Sequence, residues 1–185
     1  MSLDMNSLAN LTTLGDYAFK GMGKLVSVNV SSTLTSIGKY CFESCGKLET
    51  IDISNASSLT TIQKEAFKDS GLKHVDFSGA TKMTTVGSSA FYQANELVSV
   101  KLGGTITSIA SSAFQCYYES SNKKYYSSLQ TIDFSGAAKL TTIASSAFKY
   151  CNKLAAVDMS GATKLTKIDT SAFQYCKKLK TLKLA

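Results

Sequence analysis

The 185-residue sequence contains no proline and no tryptophan, and its only histidine is His74. Arginine is also absent, so all 20 basic residues are lysines, and they exceed the 13 acidic residues to give a net charge of +7. Readout of DNA bases and bidentate phosphate binding depend mainly on the guanidinium group of arginine. A basic chain without arginine is therefore a poor candidate for specific nucleic-acid recognition.

Long apolar runs are absent as well. No stretch approaches the roughly 18 apolar residues of a membrane-spanning helix, and the N-terminus lacks the basic, apolar and small-residue segments of a secretory signal. We therefore predict no insertion into a membrane. A mature secreted fragment would begin in the same way, so the missing signal does not assign the protein to the cytoplasm.

The sequence is instead dominated by a repeat. Each copy reads Leu-Thr-x-Ile-x-x-x-Ala-Phe, followed by about five polar residues and then Leu-x-x-Val-x-hydrophobe. Self-similarity at roughly 20 to 50 residues indicates a solenoid, in which each unit buries its apolar face against its neighbours. The phenylalanines of the repeat are separated by 23, 25, 24, 23, 34 and 25 residues and are Phe19, Phe42, Phe67, Phe91, Phe114, Phe148 and Phe173.

Each part of the repeat predicts one part of a coil. The Leu-x-x-Val-x-hydrophobe segment alternates at the strand period of two and predicts a strand of a parallel sheet. A second short run, such as residues 34–37, predicts the opposite wall. The segment 88–91 and its equivalents predict a capped single helical or 3₁₀ turn, because serine suits the N-cap and alanine the turn interior. The phenylalanine should point inward and form the spine of the core.

The repeats start near residues 11, 34, 59, 83, 106, 140 and 165, so residues 1–185 are predicted to form a single solenoid domain of about seven repeats, the last one incomplete. Residues 1–8 fall outside the pattern and are interpreted as a ragged end. Nothing after Leu184 resembles a polar capping repeat, and an uncapped sheet edge normally continues or pairs. We therefore expect the chain to be a fragment of a longer protein.

This pattern resembles the BspA-like (treponemal-type) leucine-rich repeat, whose hallmark is Ile-x-x-x-Ala-Phe-x-x-Cys followed by Leu-x-x-Val, and the resemblance extends from Leu11 to Leu184. It implies an α/β repeat solenoid, a right-handed curved superhelix with a parallel β-sheet on one face and short helical or 3₁₀ turns on the other. It also implies a surface or secreted protein that attaches to host matrix proteins or other cells. The expected function is therefore non-catalytic binding of an extracellular protein or glycan, and the alternative is an architectural spacer without a ligand of its own.

Acidic residues recur in the sheet segment of the repeats with the longer connector. We interpret them as acceptors for backbone N–H groups of the following turn, and sharing of a cation between neighbours as the alternative. Together with two basic side chains of the same surface they form a candidate ligand-binding row. The residues of this row are Asp52, His74, Asp76, Lys101, Asp133 and Asp158.

Catalysis is not expected. His74 is predicted to lie beside Asp52 and Asp76 on the sheet surface, but a triad also needs an activated nucleophile within hydrogen-bond reach. The many serines and threonines are explained by turns and repeat register. No nucleophile elbow, Walker loop or dinucleotide fingerprint is present, so we predict neither enzyme activity nor a cofactor.

The five cysteines predict packing rather than metal binding. Three of them follow the phenylalanine by three residues, in a column where other repeats have methionine, serine or alanine, which favours buried free thiols. No metal motif is present, because Cys41-x₃-Cys45 has no nearby partner pair. Stacking would bring Cys151 and Cys176 near bridging distance, and a disulfide between them is the open alternative.

The strongest functional candidate is the one break in the period. Fifteen residues, instead of six, separate Phe114 from Leu129, and the inserted segment carries four tyrosines and two lysines. Insertions in repeat proteins map to loops, often on a binding face, and tyrosine is enriched at interfaces. The alternative is an expansion whose tyrosines fold back onto the convex side. The candidate residues are Tyr117, Tyr118, Lys123, Lys124, Tyr125 and Tyr126.

Overall fold

The computed structural model describes residues 1–185 and consists of short strands and turns, without any helix and hence without one that could cross a membrane. The strands are β1 (Ser2–Asp4), β2 (Thr13–Leu14), β3 (Ser27–Asn29), β4 (Ser36–Ile37), β5 (Thr50–Asp52), β6 (Thr61–Ile62), β7 (His74–Asp76), β8 (Thr85–Val86), β9 (Ser99–Lys101), β10 (Ser108–Ile109), β11 (Tyr117–Glu119), β12 (Lys124–Tyr126), β13 (Thr131–Asp133), β14 (Thr142–Ile143), β15 (Ala156–Asp158), β16 (Lys167–Ile168) and β17 (Thr181–Lys183).

The Leu-x-x-Val-x-hydrophobe segments form the first sheet, as predicted. Its hydrogen-bonded order is β1-β3-β5-β7-β9-β13, all parallel, and β15 and β17 pair with each other further along the chain. Alternate side chains of a strand point to opposite faces. In β5, Ile51 is therefore buried while Thr50 and Asp52 are exposed.

The second sheet forms the opposite wall. Its order is β16-β14-β10-β8-β6-β4-β2, and all its strands are parallel. Each strand has only two residues, and in every strand except β16 at the end the second one is buried in the core, as Ile62 and Ile109 are. The chain is therefore a parallel β-solenoid of about seven turns, in which each coil contributes one strand to each of the two walls.

The repeated phenylalanines stack in a single column between the two sheets, which confirms their predicted role. Consecutive rings lie 5.1 to 5.5 Å apart and within 13° of parallel. The five inner rings are buried, while Phe19 and Phe173 at the two ends are half-buried. Each coil thus covers the ring of the coil before it, so the core is shared along the whole solenoid.

The predicted helical or 3₁₀ turns are replaced by a different structure. Around Phe91, Ser89 and Gln93 have φ angles of 53° and 59°, in the left-handed region that a right-handed helix cannot contain. The N–H groups of Ser89, Phe91 and Gln93 donate to carbonyls of the next coil at 2.8 to 3.0 Å. These turns therefore form a third hydrogen-bonded ladder between coils, while the alternate N–H groups of Ala90 and Tyr92 donate to carbonyls three residues earlier in the same segment.

The N-terminal residues are more ordered than the sequence pattern indicated. β1 pairs in register with β3, aligning Leu3 with Val28, and Met5 is buried. The segment Leu3-Asp4-Met5 corresponds to the Val-x-hydrophobe end of the repeat. The solenoid therefore begins with the first-sheet strand of a coil, before the first repeat found by its Leu-Thr-x-Ile motif.

Candidate functional site

The aspartate row on the first sheet is part of the turn structure. Oδ1 of Asp52, Asp76, Asp133 and Asp158 accepts the N–H of the residue two positions later, at 2.8 to 2.9 Å. Such Asx turns mimic a backbone turn. This confirms the interpretation that the carboxylates belong to the longer connectors.

Three of these carboxylates, those of Asp76, Asp133 and Asp158, have a lysine nearby. Lys101 lies in register with Asp76 and Asp133 and forms an ion pair with Asp76 at 3.2 Å, while Lys183 pairs with Asp158 at 3.1 Å. No group of three His, Cys, Asp or Glu side chains that could hold a metal ion occurs in the structure. The geometry therefore supports a structural role for the row, and the sharing of a cation stays a hypothesis.

The Asx turns predict a specific acid sensitivity. Hydrogen bonds from the hydroxyl and backbone N–H of Ser160 lower the pKa of Asp158 to about 2, and equivalent bonds from Ser54 and Ser135 lower the pKa of Asp52 and Asp133. A carboxyl whose pKa is depressed in the folded state contributes stability that is complete above its unfolded pKa of 3.8 and is lost as the pH falls toward the folded value.

We expect the melting temperature of the wild-type protein to fall between about pH 4 and pH 2. Replacement of Asp52, Asp133 and Asp158 by asparagine retains an oxygen acceptor for each turn but removes the titration, so the triple variant should lose less stability over this interval. Thermal melts at several pH values, followed by circular dichroism, measure the difference. If the melting temperatures of the two proteins fall in parallel with pH, these carboxylates do not contribute to the acid sensitivity.

His74 does not complete a catalytic arrangement. Its Nδ1 lies 2.8 Å from Oγ of Ser99 in the neighbouring strand, but its other ring nitrogen has no hydrogen-bond partner. A general base that activates a serine is normally oriented by a third group, and this pair lies exposed on the sheet surface. The pair is a cross-strand hydrogen bond of the sheet.

The insertion after Phe114 forms an antiparallel β-hairpin of β11 and β12. Tyr117 lies opposite Tyr126, Tyr118 opposite Tyr125, and Glu119 opposite Lys124. Two-fold alternation along the strands places Tyr118 and Tyr125 on one face of the hairpin and the other tyrosine pair on the opposite face. The predicted loop is thus an ordered element with two different aromatic faces.

Glu119 stabilises the hairpin turn. Its carboxylate accepts hydrogen bonds from Nδ2 of Asn122 at 2.6 Å and from the hydroxyl of Tyr126 at 3.0 Å. These bonds, with that of Tyr126 as the largest contribution, lower the pKa of Glu119. On the same face, Nζ of Lys124 lies 4.6 Å from the centre of the Tyr126 ring.

The other face of the hairpin packs against two tyrosines of the following coils. Tyr150 stacks on Tyr118 at 5.4 Å and on Tyr175 at 5.3 Å, and Tyr125 contacts Tyr118 at 4.6 Å and Tyr150 at 6.1 Å. Nζ of Lys177 lies 4.5 Å from the Tyr125 ring centre. Nζ of Lys149 lies 5.0 Å from the Tyr150 ring centre. We call this cluster the tyrosine–lysine face: Tyr118, Tyr125, Tyr150, Tyr175, Lys149 and Lys177.

The net positive charge of the protein lies in the C-terminal part of the chain, which includes this face. Residues 1–115 contain nine lysines and nine acidic residues, whereas residues 116–185 contain eleven lysines and four acidic residues. The C-terminal part therefore carries the whole net charge of +7. Neither Lys149 nor Lys177 forms an ion pair with a carboxylate, so their charge is available to a partner.

A second tyrosine pair near the N-terminus provides a contrast. Tyr17 and Tyr40 stack at 4.9 Å, and Nζ of Lys20 lies 5.5 Å from the Tyr17 ring centre. Here, however, Lys20 forms an ion pair with Glu43 at 2.8 Å. Similar aromatic stacking thus occurs at both ends, but the N-terminal pair lies among balanced charges.

The sequence identified only two of the six residues of the tyrosine–lysine face. The hairpin residues Tyr118 and Tyr125 were predicted, whereas Tyr150, Tyr175 and their lysines were not. A signal was present, because Tyr150 and Tyr175 both follow the core phenylalanine by two residues and are 25 residues apart, the length of one coil. The structure separates the predicted Tyr117, Lys124 and Tyr126 from this face, and Lys123 lies exposed in the hairpin turn.

Comparisons with known proteins bear on the fold. The model of the BspA type leucine rich repeat region matches six copies over residues 2–119 and 120–185. The leucine-rich repeat protein of T. pallidum has a TM-score of 0.56 and 19% identity, covering 91% of this chain and 72% of that chain. A leucine-rich repeat protein from Bacteroides ovatus has a TM-score of 0.33 and 20% identity, covering 94% of this chain and 64% of that chain. The pneumococcal vaccine antigen PcpA has a TM-score of 0.47 and 18% identity, covering 93% of this chain and 53% of that chain. Comparison with the sequences of characterised proteins finds no match.

Proposed function

Because the chain belongs to the BspA-type leucine-rich repeat family, we propose that it is a non-catalytic binding module, displayed outside the cell, that docks an acidic protein through the tyrosine–lysine face. Leucine-rich repeat solenoids are generally binding or structural proteins rather than enzymes. BspA-type relatives include surface antigens and cell-surface proteins, which supports the extracellular assignment. The specific role in adhesion to host or matrix components belongs to the same proposal.

The observation that carries this proposal is the aromatic cluster, half-buried except for the exposed Tyr175, with its uncompensated lysines. Tyr175 ends the stack and is 50% exposed, and the ammonium group of Lys177 lies 4.5 Å from the Tyr125 ring centre. Tyrosines supply large contact areas with little conformational freedom to lose, and they are enriched among residues that dominate binding energy. Unpaired ammonium groups beside them attract carboxylates and steer association.

The arrangement of the rings favours a protein partner over a sugar chain. Tyr150 lies between Tyr118 and Tyr175, so neighbouring rings occupy both of its faces. A sugar stacked on an aromatic ring needs a free ring face, and only the terminal ring of the column offers one. Hydroxyl groups, ring edges and ammonium groups instead match the acidic and amide side chains of a protein surface.

The test is a binding screen against immobilised fibronectin, laminin, fibrinogen and collagen, with heparin as a separate anionic probe, followed by biolayer interferometry. We expect at least one matrix protein to bind. Tyr175→Ala should weaken that binding by more than about tenfold, as for a residue that dominates an interface. The matched control is Tyr17→Ala, which truncates the terminal ring of the other stack, and it should leave the affinity unchanged.

Raising the salt concentration should weaken binding by the wild type and less so by the Lys149→Ala/Lys177→Ala variant, because screening acts on charges that this variant lacks. Binding to heparin alone would reject a protein partner and indicate a sulfated glycan. Absence of binding to every probe, or equal losses in the Tyr175 and Tyr17 variants, would contradict the proposal and favour an architectural spacer.

A further inference from the structure

Two buried cysteines meet at the base of the insertion hairpin. Cys116 immediately precedes β11, and its Sγ lies 2.9 Å from Sγ of Cys151 in the next coil. Conversion of this contact to a bond of about 2.05 Å requires a movement of less than about 1 Å. Cys151 has no exposed surface and Cys116 is 6% exposed.

The other cysteines of the same column lack a second sulfur. Cys45 and Cys176 occupy the position of Cys151 in their own coils, and all three sulfurs lie within hydrogen-bond distance of the phenylalanine carbonyl of the preceding coil, at 3.1, 3.1 and 3.3 Å. Only Cys151 also has another sulfur within hydrogen-bond distance. The earlier alternative, a bridge between Cys151 and Cys176, is therefore replaced by a different pairing.

The insertion is what creates this contact. Cys116 follows Phe114 by two residues, and the equivalent residue of the last coil, Tyr175, is exposed at the surface. Because the chain must turn into β11, residue 116 points inward instead. Ser127, which follows β12, is also buried, and, together with the Cys151 thiol, its hydroxyl lowers the pKa of Cys116, so both ends of the hairpin converge on the sulfur pair.

From this geometry we infer that Cys116 and Cys151 form a disulfide when the protein folds under oxidising conditions. The link joins the base of the hairpin to the coil that carries Tyr150. It thereby fixes the position of Tyr118 and Tyr125 against the column. The inference concerns covalent structure and stands independently of the proposed docking function.

The chemistry is thiol–disulfide exchange with a small disulfide such as oxidised glutathione. The Cys116 thiolate attacks one sulfur of the oxidant, forming a mixed disulfide and releasing one glutathione thiolate. The Cys151 thiol then loses its proton and attacks the Cys116 sulfur, which completes the protein disulfide and releases the second glutathione thiolate. Overall, two protein thiols are oxidised and one glutathione disulfide is reduced to two thiols.

Both sulfurs are covered in the folded coil, because Cys151 has no exposed surface and Cys116 is 6% exposed. The exchange with the oxidant therefore occurs before the hairpin closes. At that stage neither thiol has its folded environment, so the two attacks apply equally with the two cysteines exchanged.

The experiment refolds the reduced, unfolded chain in a buffer of reduced and oxidised glutathione. Alkylation under denaturing conditions without reductant, followed by mass spectrometry, counts the free thiols and identifies linked peptides. We expect three alkylated cysteines and one linked peptide pair containing Cys116 and Cys151. Reduction should lower the melting temperature by roughly 10 °C, because the bond closes a loop of about 35 residues.

Matched variants separate the link from general effects of cysteine removal. Cys151→Ala should fold, since Ala94 occupies the same column position, and its melting temperature should not respond to reductant. The control Cys176→Ala removes the next cysteine of the column and should retain both the link and the response to reductant. Five alkylated cysteines after refolding, or a linked pair containing Cys176, would overturn the inference.

Discussion

Replacement of Phe91 by alanine is expected to lower the free energy of unfolding by about 3 to 5 kcal/mol. The Phe91 ring is 2% exposed and lies between Phe67 at 5.3 Å and Phe114 at 5.1 Å, with Phe77 against it edge-on at 6.0 Å. The truncation removes ring contacts to two neighbouring coils at once. The surrounding backbone is held by three ladders of hydrogen bonds between coils, so it cannot collapse into the resulting cavity.

Urea unfolding monitored by circular dichroism measures this loss. The matched control is Phe173→Ala, at the end of the same column, where the ring is half-buried and stacks only on Phe148. We expect Phe173→Ala to lower the free energy of unfolding by about half as much as Phe91→Ala, since one neighbouring coil is affected instead of two. Equal costs at the two positions would show that the rings do not share one continuous core.

Deletion of one whole coil is expected to leave a folded protein, whereas deletion of half a coil is expected to abolish folding. Removal of residues 62–85 joins Thr61 to Val86, which preserves the repeat because Ile62 and Val86 are register partners in the second sheet. Phe42 then stacks on Phe91. The loss of stability is therefore limited to the contribution of one coil and one interface between coils.

Removal of residues 62–73, half that length, joins Thr61 of the second sheet directly to His74 of the first. The two residues lie on opposite walls of the core, and the deletion also removes Phe67 and Leu72, which are buried. Neither sheet can then continue in register, and the interface between the flanking coils is lost. We therefore expect an unfolded or aggregated product.

The sequence predicts most of the fold because every coil repeats the same physical pattern. Alternation at period two located the strands of the first sheet, the recurrent phenylalanine located the core, and the occurrence of aspartate only before longer connectors indicated the Asx turns. These inferences succeed because each depends on residue identity at a fixed position. Comparison of seven copies separates such constraints from chance.

The features that were missed depend on contacts between coils. The left-handed turn positions are occupied by residues as different as Tyr17, Glu65 and Ser89, so residue identity does not reveal them. In this conformation the turns donate hydrogen bonds to the next coil. The pairing of Cys116 with Cys151 was missed for a similar reason, because the inward turn of Cys116 exists only once the hairpin has formed.

The tyrosine–lysine face illustrates both cases. The insertion stood out in the sequence because it interrupts the period, and its hairpin supplies Tyr118 and Tyr125. Tyr150 and Tyr175 were not predicted, because they preserve the period and so do not stand out in the sequence. Their importance follows from the packing of the hairpin on the column and from the uncompensated charge of Lys149 and Lys177, which only the three-dimensional arrangement brings together.

The most stringent test of coil stacking is a comparison of urea unfolding in the two deletion variants, since the hairpin, the tyrosine–lysine face and the cysteine pair all depend on it. We predict a cooperative transition for the variant lacking residues 62–85, at a lower urea concentration than for the full chain, and no transition for the variant lacking residues 62–73. A folded half-coil variant, or an unfolded whole-coil variant, would contradict a solenoid in which the coil is the unit of structure.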